Sequence, residues 1–142
     1  MNQATAVGQK WFAAVEAGDI DRMAEMLADD VDFQIPGGQF GRREDAVEAL
    51  RPFTTAFSDT SFTIDRWIEQ EDVSVAEGIY RATHTDVLPT PMGDVPPSGN
   101  TVSLPFVSIF GEREGRVALQ HAYWDNATFM MQIGAMPGPD AG

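Results

Sequence analysis

The sequence predicts one α+β domain, in which about three N-terminal helices cover one face of a curved, mostly antiparallel sheet. Apolar residues at helical spacing dominate the start of the chain, and alternating patterns dominate its second half. Single strands and helices do not alternate, which argues against a parallel sheet. At 142 residues the chain has the commonest size for a single domain, and we expect residues 135–142 to form a flexible tail.

Two helices and a strand are predicted first. Apolar spacing indicates a helix over Ala4–Ala17, and Gly18 is a natural stop because glycine tolerates a left-handed turn. Asp19 is a candidate N-cap for a second short helix that ends at Asp29–Asp30. The alternation of apolar and polar residues in Val31–Ile35 then predicts a half-buried strand.

A third helix and a hairpin are predicted in the middle of the chain. The apolar stripe from Val47 to Phe57 is helical, but it passes through Pro52, which lacks a backbone N–H. We therefore expect the helix to kink or restart there. Alternation in Phe62–Ile68 and in Val73–Thr85 then indicates a long β-hairpin.

The last third of the chain reads as a loop, a strand pair and a helix. Residues Asp86–Asn100 contain four prolines and two glycines, and we expect no regular structure there. Thr101–Phe110 and Val117–Asn126 are predicted to pair as strands, and Ala127–Ile133 can form a short final helix. A curved sheet of this kind can enclose a pocket.

Charge and composition exclude several classes of function. Nine Lys and Arg against 22 Asp and Glu give a net charge of −13, which repels nucleic acid and anionic membrane surfaces. The chain has no cysteine, so thiol nucleophiles and cysteine-based metal sites are absent. Met1–Gly8 lacks the basic and apolar segments of a signal peptide, and we expect a cytoplasmic protein. A neutral or cationic small molecule is the better partner.

Two predicted strands carry residues that could perform acid–base chemistry. Strict alternation puts His121, Tyr123 and Asp125 on one side of the last strand. On the hairpin strand, Tyr80 and His84 share a side with small residues, which suits a concave wall. A carboxylate in an apolar pocket has a raised pKa and can exchange protons near neutrality. Equally, a His or Asp at a strand end is often a solvated or hydrogen-bonded structural group.

Four stretches resemble the SnoaL-like polyketide or ester cyclase family of the NTF2-like superfamily. They are Glu77–Thr85, Pro96–Gly99, His121–Asp125 and Gln132–Gly134, and their order and spacing cover nearly the whole chain. The family commonly has Gly at the position of Asp86 and a basic residue at that of Asn100, so the loop between them can admit a different substrate.

The resemblance implies an α+β cone, a homodimer, and ring closure by intramolecular aldol chemistry without a metal or organic cofactor. In that chemistry an Asp near the end of the last long strand acts as acid and base, and Asp125 matches it by position. The superfamily also contains isomerases, dehydratases, epoxide hydrolases and proteins without catalysis, so the fold does not fix the reaction.

The resulting hypothesis is a cofactor-independent acid–base enzyme acting on an apolar, neutral small molecule. It is a polyketide-like cyclase, or a related isomerase or dehydratase, with Asp125, His84 and His121 as catalytic residues. The predicted substrate-binding residues are Gln34, Trp67, Tyr80, Tyr123 and Phe106. No His-x-x-x-His or Glu-x-x-His spacing occurs, so we predict no metal site. The alternatives are a non-catalytic small-molecule carrier or sensor and a protein-association module.

Overall fold

The computed structural model describes residues 1–137, so most of the predicted tail at 135–142 lies outside the described residues. The helices are α1 (Gln3–Glu16), α2 (Ile20–Met26), α3 (Arg43–Ala56) and α4 (Asn126–Gln132). The strands are β1 (Leu27–Ile35), β2 (Gly38–Phe40), β3 (Phe57–Gln70), β4 (Val73–His84), β5 (Leu88–Thr90), β6 (Gly93–Val95), β7 (Thr101–Arg113) and β8 (Arg116–Trp124).

Six strands form the main sheet in the order β2-β1-β8-β7-β4-β3, and β1 and β8 are its one parallel pair. The predicted α+β class with a mostly antiparallel sheet is therefore confirmed. The register between β3 and β4 shifts twice, and bulges of this kind bend a sheet. At the second shift Gly78 passes so close to β3 that an added Cβ would lie 2.1 Å from the Thr63 carbonyl oxygen. Glycine at this position permits the close approach of β3 and β4.

The first two helices form for the reasons that the sequence indicates. Asn2 caps α1 by accepting a hydrogen bond from the Thr5 N–H at 2.8 Å, and Asp19 caps α2 by accepting one from the Arg22 N–H at 3.0 Å. The predicted end of α2 at Asp29–Asp30 is wrong, because α2 ends at Met26 and β1 begins at Leu27. Among residues 1–137, no helix is long and apolar enough to cross a membrane.

Two apolar clusters fill the space between the helices and the concave face of the sheet. In the larger one the Phe12 ring from α1 contacts Phe62, Trp67, Phe106 and Phe110 of the sheet, with ring centroids 4.7 to 5.9 Å apart. The smaller cluster joins α3, α4 and the end of β4, and it includes Phe57, Leu88 and Phe129.

Two irregular segments differ from what the sequence predicts. Helix α3 runs without interruption from Arg43 to Ala56 through Pro52, which lacks a backbone N–H, so the alternative of a restart at Pro52 is wrong. The segment 86–100 contains a short hairpin, in which β5 and β6 pair from Leu88 opposite Val95. Strands of three residues are too short to produce a recognisable alternation.

Candidate functional site

The concave face of the sheet and helices α1, α3 and α4 enclose a cavity of about 140 Å³, which we call the inner cavity. Its wall is mainly aromatic, formed by Trp11, Phe33, Phe53, Phe62, Phe106, Trp124 and Phe129 among others. Within the described part of the chain, no Asp, Glu, Lys, Arg or His lines it. Such a wall favours apolar and uncharged molecules, because burying their surface is favourable and burying a charge is costly.

Two polar side chains stand at one end of the inner cavity. Gln120 and Ser108 are only 3% and 2% exposed, and the Gln120 Nε2 donates to the Ser108 Oγ at 3.2 Å. The Gln120 Oε1 accepts no hydrogen bond from any of residues 1–137. On the neighbouring strands Gln120 lies opposite Phe33 and Phe110, so its amide is surrounded by aromatic rings.

Tyr80 stands at the other end of the inner cavity. Burial raises the pKa of its phenol to about 12, and the nearby Thr60 side chain opposes this shift to a smaller extent. The hydroxyl therefore keeps its proton at physiological pH. It can donate a hydrogen bond to a ligand oxygen.

A second, more polar cavity of about 340 Å³ adjoins the first, and we call it the outer cleft. The two share Val15, Leu50, Phe53 and Tyr80 in their walls, so they lie next to each other. The outer cleft also carries the carboxylates of Glu16 and Asp59.

The two carboxylates of the outer cleft are held differently. The Glu16 Oε2 accepts a hydrogen bond from the Phe62 N–H at 2.9 Å, which fixes this side chain against β3. Asp59 has a left-handed backbone with φ of 53° and lies at the first register shift between β3 and β4. A non-glycine residue in this conformation is strained, and such residues concentrate at functional sites.

Asp125 lies outside both cavities, and its predicted surroundings are wrong. It follows β8 and caps α4, where its carboxylate accepts hydrogen bonds from the Thr128 hydroxyl at 2.7 Å and the Thr128 N–H at 3.2 Å. These bonds lower the pKa of the exposed Asp125 carboxyl, whereas an apolar pocket would raise it. The carboxylate faces solvent as a helix cap.

The other predicted residues of β8 and β1 lie on the outer face of the sheet. The His121 Nε2 contacts the Asp32 Oδ1 at 2.9 Å, and the Gln34 Nε2 donates to the Tyr123 hydroxyl at 3.2 Å. The prediction that His121, Gln34 and Tyr123 lie at the pocket is therefore wrong.

A bulge explains the error about β8. Across from β7, Leu119 lies opposite Gly111 and Val117 opposite Glu112, so Ala118 is an extra residue in β8. One extra residue moves every later side chain to the opposite face. Gln120 and Trp124 therefore point inward, while His121 and Tyr123 point outward.

His84 points inward as predicted from its strand, but into the smaller apolar cluster. It is fully buried, its ring stacks on Phe57 with centroids 5.2 Å apart, and its Nδ1 accepts a hydrogen bond from the Ser98 N–H at 3.2 Å. The Nε2 has no hydrogen-bond partner among residues 1–137. His84, His121 and Asp125 are thus not brought together. Through its hydrogen bond with Ser98, His84 fixes the position of the segment that follows β6.

Of the remaining predicted binding residues, Tyr80 and Phe106 line the inner cavity, and Trp67 does not. The Trp67 ring packs between Phe12 and Phe110 in the larger apolar cluster. The binding roles of Tyr80 and Phe106 stay predictions.

Residues 9–120 match the SnoaL-like domain family. The chain belongs to this family. The resemblance seen in the sequence is thereby confirmed, with the stretch from Glu77 to Thr85 inside the matched range. No curated protein sequence matches the chain.

Solved structures with the same fold carry different functional names. A protein named as a SnoaL-like polyketide cyclase from Jannaschia sp. CCS1 is 19% identical, with a TM-score of 0.79 over 95% of this chain and 94% of that one. An NTF2-like protein of unknown function from Burkholderia pseudomallei is 19% identical, with a TM-score of 0.75 over 94% and 98%. An LEH-like epoxide hydrolase from M. tuberculosis is 15% identical, with a TM-score of 0.70 over 92% and 89%. The shared fold is NTF2-like.

Among the residues of this SnoaL-like domain that were not predicted from the sequence are Gln120, Ser108, Glu16 and Asp59. Gln120 gave a usable signal, since it is a polar residue at the centre of an otherwise strand-forming segment. Ser108 lies between apolar neighbours in the same way. Asp59 gave none, because a bulge leaves no pattern in the residue types.

Metal binding has no support in the arrangement of side chains. Within residues 1–137, no three His, Asp or Glu side chains gather as a metal-binding group. Among the described residues, the polar side-chain groups at the inner cavity are one amide, two hydroxyl groups and two indoles, none of which would hold a divalent cation tightly.

Proposed function

We propose that the protein binds a small, uncharged, mainly apolar organic molecule in the inner cavity. The observation that carries the proposal is the wall formed by residues 1–137, which is mainly aromatic, contains no charged side chain, and has polar side chains at its two ends. Small-molecule sites commonly combine an apolar wall with a few polar groups that fix orientation. This corresponds to the carrier alternative of the sequence analysis.

Volume limits the size of the ligand. A cavity of about 150 Å³ in an engineered protein binds benzene, so the inner cavity of about 140 Å³ accommodates a single ring or a short aliphatic group. The outer cleft of about 340 Å³ falls within the range of ordinary ligand sites and can hold the rest of a larger molecule.

Isothermal titration with toluene tests the proposal directly. We expect saturable binding to the wild-type protein and a loss of about tenfold or more in Ala122→Leu, because the added side chain occupies the cavity that Ala122 lines. Ala13→Leu, an exposed position on α1, is the matched control and should leave the affinity unchanged. Absence of saturable binding of both toluene and phenol, which have similar size, to the wild-type protein would contradict the proposal.

A second candidate function is cofactor-independent acid–base catalysis, and Tyr80 is the observation that favours it. A protonated phenol stands where the apolar cavity meets the carboxylates of Glu16 and Asp59. A carboxylate could remove a proton from carbon next to a ligand carbonyl, while Tyr80 donates a hydrogen bond to the enolate oxygen. The cyclase name of the Jannaschia protein is consistent with such chemistry. The assignment to Asp125 with His84 or His121 has less support, because these residues lie apart.

Hydrogen exchange of a simple ketone distinguishes catalysis from binding. Cyclohexanone in D₂O, followed by proton NMR, should exchange its α-hydrogens faster with the wild-type protein than in buffer. Tyr80→Phe should reduce the added rate by about tenfold or more. Tyr123→Phe, which alters a phenol on the outer face, is the control and should change nothing. Exchange no faster than in buffer would reject the catalytic candidate and leave the binding proposal standing.

A further inference from the structure

The inner cavity has one polar end that its apolar wall does not explain. Gln120 lies in β8 with its amide among aromatic rings, and only 3% of its surface is exposed. Leu or Met would fill this position with better packing and without burying an amide. The Gln120 Oε1 is not fully buried, since the His84 Nε2 is the one fully buried side-chain nitrogen or oxygen without a partner among residues 1–137. Because Gln120 lines the inner cavity and its Oε1 accepts no hydrogen bond from these residues, the oxygen is accessible to a ligand that can donate.

The hydrogen bond between Gln120 and Ser108 defines what that partner must be. Because the Gln120 Nε2 donates to the Ser108 Oγ at 3.2 Å, the Gln120 Oε1 is left as an acceptor and the hydroxyl hydrogen of Ser108 remains available for donation. Both residues line the inner cavity. Together they present one acceptor and one donor side by side, which matches a group that can both donate and accept.

The direction of entry determines which end of a ligand meets this pair. The outer cleft adjoins the inner cavity at Tyr80, which lies opposite Leu104 of β7, whereas Gln120 lies opposite Phe110 of the same strand. Gln120 and Ser108 do not line the outer cleft. The pair therefore lies at the end away from the outer cleft, and it contacts the part of a ligand that extends farthest from that cleft.

We infer that the ligand carries a hydroxyl group on the ring or chain that enters the inner cavity. The hydroxyl donates to the Gln120 Oε1 and accepts from the Ser108 Oγ. This inference rests on the proposed binding function and adds the chemical class of the ligand, a phenol-like or alcohol-bearing molecule. An isosteric apolar molecule would leave both protein groups unpaired, and sites of this kind bind such analogues more weakly.

Three probes of similar size test the inference by isothermal titration: phenol, toluene and benzaldehyde. Phenol should bind the wild-type protein about tenfold or more tightly than toluene, because only phenol pairs with Gln120 and Ser108. Gln120→Leu should abolish this preference while retaining toluene binding, and Ser108→Ala should reduce it. Gln9→Leu changes an exposed glutamine of α1 and should keep the full preference.

The outcomes separate this inference from the function on which it rests. Equal affinity for phenol and toluene in the wild-type protein would overturn the inference, and so would a preference that survives in Gln120→Leu. Tighter binding of benzaldehyde than of phenol would overturn it as well, since an acceptor-only ligand would require the amide in the opposite orientation. Absence of binding of all three probes would instead reject the proposed function. If circular dichroism showed that Gln120→Leu does not fold, Gln120→Met would be used in its place, because methionine is closer to glutamine in shape.

Discussion

The Asp125 carboxylate and Thr128 form two hydrogen bonds across the first turn of α4, one to the hydroxyl and one to the backbone N–H. This contact accounts for the aspartate as a helix cap. It also explains why the carboxyl has a lowered pKa instead of the raised one that general acid–base chemistry at neutral pH would need.

Removing the cap should destabilise the protein in a pH-dependent way. Asp125→Ala should lower the melting temperature by a few degrees at pH 7, and Asp125→Asn should lower it less, because asparagine is also a good N-cap. Since folding lowers the carboxyl pKa, its stabilising contribution is full above the ordinary value of 3.8 and disappears as the pH falls through the folded value. The gap between wild type and Asp125→Ala, measured by circular dichroism melts, should therefore narrow in acid.

An exposed aspartate of β3 serves as the control for this experiment. Asp65→Ala should show no comparable loss of stability at pH 7. A gap that stays constant from pH 7 to pH 3 would mean that the Asp125 carboxylate does not cap α4.

Gly78 should tolerate no side chain, because β3 lies against it. An added Cβ would lie 2.1 Å from the Thr63 carbonyl oxygen and 3.0 Å from the Ile64 Cα, and both are backbone atoms that cannot rotate away. We expect Gly78→Ala to lower the free energy of unfolding by about 3 kcal/mol, measured by urea denaturation. Gly41→Ala meets no atom within 4 Å and should change it by less than about 0.5 kcal/mol. Wild-type stability of Gly78→Ala would show that the strands are not in this close contact.

The sequence was sufficient for features that depend on repeated patterns. The apolar spacing in α1, the N-cap at Asp19 and the alternation in β4 each involve several residues or a specific side-chain preference. Such signals survive small errors in position. The inward direction of Tyr80 followed from the alternation in β4.

The candidate site was harder to predict because single insertions decide it. The extra residue at Ala118 turns Gln120 inward and His121 outward, and the extra residue near Asp59 directs this side chain to the outer cleft. A bulge depends on backbone geometry and pairing between distant strands, neither of which is visible in the order of residue types. The alternation in β8 was thus predicted correctly, but the face that carries His121 and Tyr123 was assigned to the cavity, whereas it lies on the outer side of the sheet.

Titration of the two tyrosines should reveal the burial of Tyr80. Absorbance at alkaline pH should show one phenol with a pKa of about 12, and Tyr80→Phe should remove that transition while Tyr123→Phe retains it. Because the folded pKa lies above the ordinary value of 10, the neutral phenol contributes stability fully below pH 10 and loses it as the pH rises toward 12. Stability measured by urea denaturation should fall over this interval in Tyr123→Phe and fall less in Tyr80→Phe. Titration of Tyr80 near the ordinary value of 10 would contradict its buried position.

The left-handed backbone at Asp59 predicts a specific order of stability among variants. Valine has a branched Cβ that fits poorly at a φ of 53°, so Asp59→Val should lower the free energy of unfolding by about 1–2 kcal/mol. Asp59→Gly should retain at least the wild-type value, because glycine adopts this conformation without strain and the gain offsets its greater flexibility in the unfolded chain. Ser61→Val, at an exposed position of β3, is the matched control and should be neutral or slightly stabilising, since valine favours strands. If Asp59→Val were as stable as Ser61→Val, the bulge that directs Asp59 to the outer cleft would not exist in solution, and β3 would pair regularly with β4 up to Phe57.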